Sequence, residues 1–283
     1  MVYYLILGSN ESEQVEIVSL VNRLSCPDVK FLIHIDRKFN IINSLQELTA
    51  RNVQILEDRI VCNWSGFSLV EAMLLLLERA KKTQEKAVYQ FLSPKCFPLR
   101  EAEICARYLE HTGTNIHFWG VIEPKKTKHE HLSQRFVKNI WLFDLKPLNF
   151  RNYKGSISSY LVQNFVRGLH LILSLLITVN KGHAFLKGSQ WFSIRSDDWH
   201  SVSQRDIANL KKKLRFTKAP DEIFFHTLLS NFYTPDKKVS SKHNTYANHY
   251  IDWSNPKSGP KLFTVEQSQK IQTDAIFIRK ILI

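Results

Sequence analysis

Cysteine is scarce and dispersed. The four cysteines, Cys26, Cys62, Cys96 and Cys105, include no Cys-x-x-Cys pair, which argues against a zinc site, and a chain of 283 residues does not need a disulfide scaffold. They are expected as small apolar core residues in a reducing compartment. Long hydrophobic runs are missing too. The longest, Leu169 to Val179, is about half of a membrane span, and His170 and Ser174 interrupt it, so it is expected as a buried helix. Met1–Gly8 lacks the basic region of a secretory leader. No Walker or dinucleotide-type glycine loop occurs, and no Gly-x-Ser-x-Gly elbow, which disfavours the chemistries those motifs serve. Asp-x-Asp, the usual divalent-ion motif of sugar transfer, is also absent. Asp197-Asp198 is adjacent, so its side chains diverge unless the chain bends. Repeats, low-complexity tracts and a clear domain linker are likewise lacking.

What is present is a large core and a strong positive charge. Hydrophobic residues make up 44% and aromatics 12%, ample for one large α/β domain, while the net charge of +13 attracts anions. Val2–Leu7, Val29–Ile35 and Ala87–Leu92 read as buried strands, and Val53–Leu56 and Arg59–Cys62 as short ones. Helical spacing appears over Glu13–Leu24, Gly66–Lys81, Glu101–Glu110, Ser158–Val179 and Ser196–Lys213, with Ser68 and Glu71 in a capping-box pattern. Strand character returns over Gly188–Ile194. Alternating strands and helices in the first half predict an α/β fold, a mainly parallel mixed sheet flanked by helices. In such sheets ligands bind beyond the carboxyl ends of the strands, which places the loops Gly8–Asn10, Asp36–Lys38 and Ser93–Pro98 on one edge.

Several residues could carry chemistry. Pro220-Asp221-Glu222 reads as a helix start, with Pro at the first position and carboxylates in the first turn. A carboxylate held ionised there suits a general base, though acidic first turns are also ordinary helix signals. His34-x-Asp36 at a strand end suits a nucleoside or a simple Asp turn. Arg279 and Lys280 suit a pyrophosphate or a basic surface. Trp64, Trp119, Trp191, Trp199 and Trp253 suit sugar stacking or the core.

Eight segments in order resemble the core-2/I-branching β-1,6-N-acetylglucosaminyltransferase family, which also contains peptide O-xylosyltransferases. They are Leu5-Ile6-Leu7, Ile33–Lys38, Asn63–Ala72, Phe91-Leu92-Ser93 with Phe97–Arg100, Gly188–Phe192, Pro220-Asp221-Glu222, Tyr250–Trp253 and Phe277–Lys280. Residues from about Lys125 to Gly182 are the least covered.

The resemblance implies a GT-A-type glycosyltransferase fold in one domain over 1–283. Residues 1–120 would form the nucleotide-sugar half, and 121–283 the acceptor and catalytic half. It implies inverting transfer from a UDP-sugar, with no cofactor and no divalent metal. Glu222 falls on the family's catalytic glutamate, Asp36 on its nucleoside-side aspartate and Lys280 on its pyrophosphate lysine. Gln190 and Trp191 lie in the acceptor-side loop, and Trp253 is an acceptor-stacking candidate. Two departures stand out: Ser93-Pro94-Lys95-Cys96 lacks the acidic residue relatives carry, and His249 replaces their arginine. Lys257, Lys261 and Arg279 are the candidates for the missing cation.

The expected partners are a UDP-sugar and an oligosaccharide or lipid-linked glycan acceptor, with peripheral contact to an acidic membrane and no nucleic acid. The expected setting is the bacterial cytoplasm, at the inner face of the membrane, in surface polysaccharide or lipopolysaccharide synthesis, with GlcNAc as the first sugar to test. The basic stretches Lys125–Lys138 and Lys211–Arg215 suit a solvated face, an anionic glycan or acidic lipid. A polyanion-binding protein, or a sugar-binding relative without activity, is the rival reading.

Overall fold

In a computed structural model, the described residues are 1–50, 52–122, 136–149, 157–177, 180, 183–230, 245–254 and 259–282. Most of the basic stretch 125–138, and Lys257, lie outside them. The sequence places Asn10 directly before an amphipathic run. Its side chain accepts from the Glu13 amide at 3.0 Å and starts helix α1, Glu11–Leu24. That helix follows strand β1, Val2–Gly8, and leads into β2, Val29–Ile35. A short helix α2, Asn43–Gln46, precedes β3, Val53–Ile55. Helix α3, Ser68–Lys81, then leads to β4, Val88–Leu92, and β5, Cys96–Pro98. Helix α4, Ala102–Thr112, precedes β6, Phe118–Ile122, and helix α5 covers Ile157–Leu176. Next come β7, Phe185–Gly188, and β8, Ser193–Arg195. After the Gln204–Leu214 helix the chain ends in β9, Thr245–Tyr246, β10, His249–Tyr250, and β11, Phe277–Arg279.

The main sheet has the order β3-β2-β1-β4-β8. Its first four strands are parallel and β8 runs against them, which is the mainly parallel mixed sheet the alternation predicts. Gly8 lies opposite Ile35 and Ile6 opposite Leu92, so the loops after β1, β2 and β4 leave from one edge. Because β8 is antiparallel, the residues before it, Ser189–Phe192, reach that edge as well. One face buries Tyr3, Leu5, Met73, Leu77, Phe91, and Phe225. The other buries Val2, Tyr4, Ile6, Ile17, Val21 and Cys105. A second sheet, β5-β11-β10-β9, pairs β11 antiparallel to β5 and returns the end of the chain to the Ser93 loop.

Four expectations need correction. Arg59–Cys62 is not a strand, because its polar backbone is satisfied by the β2 edge loop. Ile60 donates to His34 Nε2 at 2.8 Å and accepts from the Arg37 amide at 3.1 Å. The Ser68/Glu71 capping box is not formed. Instead Asp144, remote in sequence, receives the Ser68 amide at 3.3 and 3.2 Å and the Ser68 hydroxyl at 2.5 Å. Gly66 makes room for it, since a Cβ there would lie 2.2 Å from Asp144 Oδ1. Asp144→Ala is therefore expected to lower stability by about 1–2 kcal/mol, measured by urea unfolding; no loss would mean that water replaces the cap. The Ser196–Lys213 span breaks into Ser196–His200 and Gln204–Leu214, with Ser203 capping the second piece. Finally, α5 is not buried all round. Val166 and His170 face inward, whereas Phe165, Leu171, Leu175 and Leu176 are exposed.

Candidate active site

At the carboxyl edge of β1, β2 and β4 lies a cavity of about 500 Å³. Its lining includes Gly8, Asp36, Ser93, Trp191, Glu222 and Arg279, with Trp64, Gln190, Asp221 and Trp253. Each arrives for a local reason. Asp36 follows β2 directly, and its Oδ1 accepts the Lys38 amide at 3.0 Å while its Oδ2 pairs with Lys38 Nζ at 3.2 Å. Asp36 thus makes the Asp turn and lines the cavity as well. His34 also lines the cavity, with Nε2 occupied by Ile60.

Gly188 ends β7 where a Cβ would meet the His117 carbonyl oxygen at 2.0 Å, so this close strand approach requires glycine. The next residues then turn Gln190 and Trp191 into the cavity. Trp191 is largely buried and carries the Arg279 guanidinium 4.8 Å from its ring centre. Arg279 Nε donates to Ser93 Oγ at 3.1 Å. The pairing of β11 with β5 makes this meeting, since Arg279 lies opposite Cys96.

Pro220–Glu222 forms a 3-10 turn rather than the start of an α-helix, and the helix proper is only Phe224–Leu228. A continuous helix is blocked on both sides, with Ala219 in the left-handed region at φ +49 and Ile223 non-helical. Ala219 is held there by Ser65, itself at φ +65, whose carbonyl and hydroxyl accept the Ala219 amide at 3.1 and 3.0 Å. A dipole argument for Glu222 therefore loses its long helix. The charge is matched instead by Lys187, whose Nζ lies 2.9 Å from Glu222 Oε2. Glu222 keeps 29% of its side-chain surface exposed, so the pair does not seal it.

Its neighbour Asp221 is buried, and its Oδ1 has no hydrogen-bond partner. Burial first, and the Glu222 charge second, push its carboxyl up to about 7. Of these two adjacent acids, Glu222 is the one paired with a lysine and partly exposed. In the sequence Asp221 stands out only with its neighbours in the Pro220-Asp221-Glu222 segment, and Lys187 is not singled out. Its one signal was a lysine on the strand leading into Gly188-Ser189-Gln190-Trp191.

Lys280 and Lys261 do not line the cavity. Lys280 is half-buried behind Arg279, and burial, then Arg279, lowers its ammonium below the ordinary lysine value. Lys261 Nζ sits 5.1 Å over the Phe263 ring. His249 is fully buried, stacked on Phe277 at 5.1 Å and 3.5 Å from Cys96 Sγ. Burial pushes it down to about 3, so it is a neutral packing residue. Among the described residues, no group of three or more His, Cys, Asp or Glu side chains is placed to hold a metal ion.

The buried ionisable groups set an acid limit on stability. Burial lowers His34 to about 4, and His226 and His249 to about 3. Each stays neutral in the fold but gains a proton on unfolding below about pH 6.5, so stability falls as pH drops from there toward 4. Asp221, raised in the fold, acts oppositely: its contribution is lost as pH rises from about 4 to about 7. Three histidines outweigh one aspartate. The unfolding free energy is expected to decline on acidification over this range, and Asp221→Asn to steepen the decline. A flat profile between pH 6.5 and 4 would contradict it.

The family model described as "Branch: Core-2/I-Branching enzyme" matches residues 2–276. Among solved structures, the apo form of mouse xyloside xylosyltransferase 1 is similar over 98% of this chain and 97% of that chain, at 9% identity and a TM-score of 0.40. No curated protein matches the chain.

Proposed function

The chain belongs to the core-2/I-branching enzyme family, a family of glycosyltransferases, and on that premise we propose that it moves a sugar from a UDP-sugar to a glycan hydroxyl, with inversion and without a divalent metal. The observation that carries this reading is the convergence of Asp36, Arg279 and Glu222, far apart in sequence, on one cavity at the sheet's carboxyl edge.

In this reading of a GT-A-type site, the nucleoside lies toward Asp36 and the diphosphate toward Arg279, with Lys280 adding charge from behind. Trp253 and Trp64 offer apolar faces to the sugars, and Gln190 a polar contact for the acceptor. Glu222 takes the proton of the acceptor hydroxyl. That oxygen then bonds to the anomeric carbon as the carbon–oxygen bond to UDP breaks on the opposite face, and the electron pair leaves with the diphosphate. The developing charge meets a guanidinium fixed by Trp191 and Ser93, whose preorganised position costs no rearrangement during the reaction. Asp221, raised by burial to about 7, carries only part of a second negative charge beside the base at neutral pH.

UDP release from a panel of UDP-sugars, headed by UDP-GlcNAc, tests the assignment. Release with a glycan acceptor is expected to be unchanged by EDTA. Loss of activity in chelator, restored by Mg²⁺ or Mn²⁺, would overturn the metal-free part. The same panel run as a thermal shift is expected to raise the melting temperature with UDP, by mass action. Oligonucleotide binding with a steep salt slope and no UDP response would favour the polyanion-binding rival instead.

A further inference from the structure

Helix α5 is amphipathic the wrong way round for a water-facing helix. Two polar side chains of its C-terminal half, His170 and Ser174, point into the protein. His170 is buried, and its Nε2 accepts the Leu142 amide at 3.3 Å; the Ser174 hydroxyl accepts the Ile140 amide at 3.2 Å. Its large apolar side chains point out. Leu161, Phe165, Leu171, Ile172, Leu175 and Leu176 are all exposed, Phe165 at 73% and Leu175 and Leu176 at 76% each. The spacing Leu161, Phe165, Ile172, Leu176 follows a helical stripe opposite Val166 and His170. Only one of the helix's residues, Arg167, is charged. Among the described residues nothing covers this face. Contiguous apolar surface of this kind marks a contact with something apolar.

The surroundings identify the contact. Asn180, four residues beyond α5, donates from Nδ2 to the Lys213 carbonyl at 2.7 Å. This sets the basic end of the Gln204–Leu214 helix, with Lys211, Lys212, Lys213 and then Arg215, beside the C-terminal end of α5. Phe216 follows, exposed, with Arg215 lying 5.7 Å from its ring. On the opposite side of α5, His170 packs on Phe143, and Phe143 on Trp64 at the cavity rim. An apolar helix bordered by cations is the composition that sinks to the acyl boundary of an anionic bilayer and holds its headgroups. Among the described residues no helix is long and apolar enough to cross a membrane.

We propose that the outward face of α5 lies in an anionic lipid surface, with Lys212, Lys213 and Arg215 on the headgroups and the cavity rim at Trp64 nearby. The proposal rests on this surface alone and holds or fails independently of the reaction. It is tested by flotation of the full chain with phosphatidylcholine vesicles, with and without phosphatidylglycerol, and by sedimentation without vesicles. The chain is expected to float with the phosphatidylglycerol vesicles and to release at high salt. Phe165→Asp combined with Ile172→Asp is expected to cut vesicle binding at least tenfold at an unchanged melting temperature. Lys212→Gln with Lys213→Gln and Arg215→Gln is expected to cut binding to the anionic vesicles by a similar factor. Equal binding to neutral vesicles, no binding to either, or a wild-type dimer that the double aspartate variant splits would each overturn it, the last by making a second copy the occupant.

Discussion

Glu222→Gln is expected to lower transfer by about 10²–10⁴-fold, the range a positioned general base contributes, and to leave UDP binding unchanged. Glutamine keeps the shape of glutamate and loses only the ability to take a proton. The variant leaves Lys187 without its carboxylate partner, but that lysine is already near the Phe136 ring, 4.6 Å from its centre, so folding is expected to persist. The decisive measurement is kcat for UDP release with a glycan acceptor, alongside UDP affinity by calorimetry. A fully active Glu222→Gln enzyme would remove the base assignment. Asp221→Asn separates the two acids. It should lower kcat far less than Glu222→Gln, because Asp221 is buried whereas Glu222 keeps 29% of its side-chain surface exposed. A larger loss in Asp221→Asn would exchange the roles.

Arg279→Gln is expected to lower kcat/KM by about 10²–10³-fold, the scale of losing one preorganised charge partner, and to weaken UDP binding. The basis is geometric. Arg279 lines the cavity and is fixed by the Trp191 ring and Ser93 Oγ. Lys280 does neither, so Lys280→Gln should cost less. Arg279→Lys is expected to recover only part of the loss, since an ammonium cannot reproduce a planar group lying on the indole while also donating to Ser93. If Lys280→Gln were the more damaging change, the lysine named by family resemblance would be the principal cation, and Arg279 would serve to position it.

Much of this was readable in the chain. Runs such as Val2–Gly8 and, with Lys30 and His34 as exceptions, Val29–Ile35 are mainly apolar because both faces of a central parallel strand are covered, and that pattern survives without any knowledge of the partners. Asn10 before an amphipathic run announces α1 for the same reason: the interaction is local. The order of motifs placed Asp36, Gln190, Trp191, Glu222 and Trp253 together, and all of them line the same cavity. Where the sequence misleads, the deciding contact comes from far along the chain. Ser68 and Glu71 look like a capping box, yet Asp144 supplies the cap. Pro220-Asp221-Glu222 looks like a helix start, yet Ser65 bends Ala219 into the left-handed region and shortens the turn. Leu169–Val179 looks like core, yet its polar residues turn inward. Composition and spacing determined the α/β alternation and the strand edge with the cavity, and the resemblance of its motifs pointed to the family. Tertiary packing alone decided that His249 is neutral, that Arg279 rather than Lys280 lines the cavity, and that Lys187 meets Glu222, because charge and desolvation depend on neighbours that strand pairing brings from elsewhere.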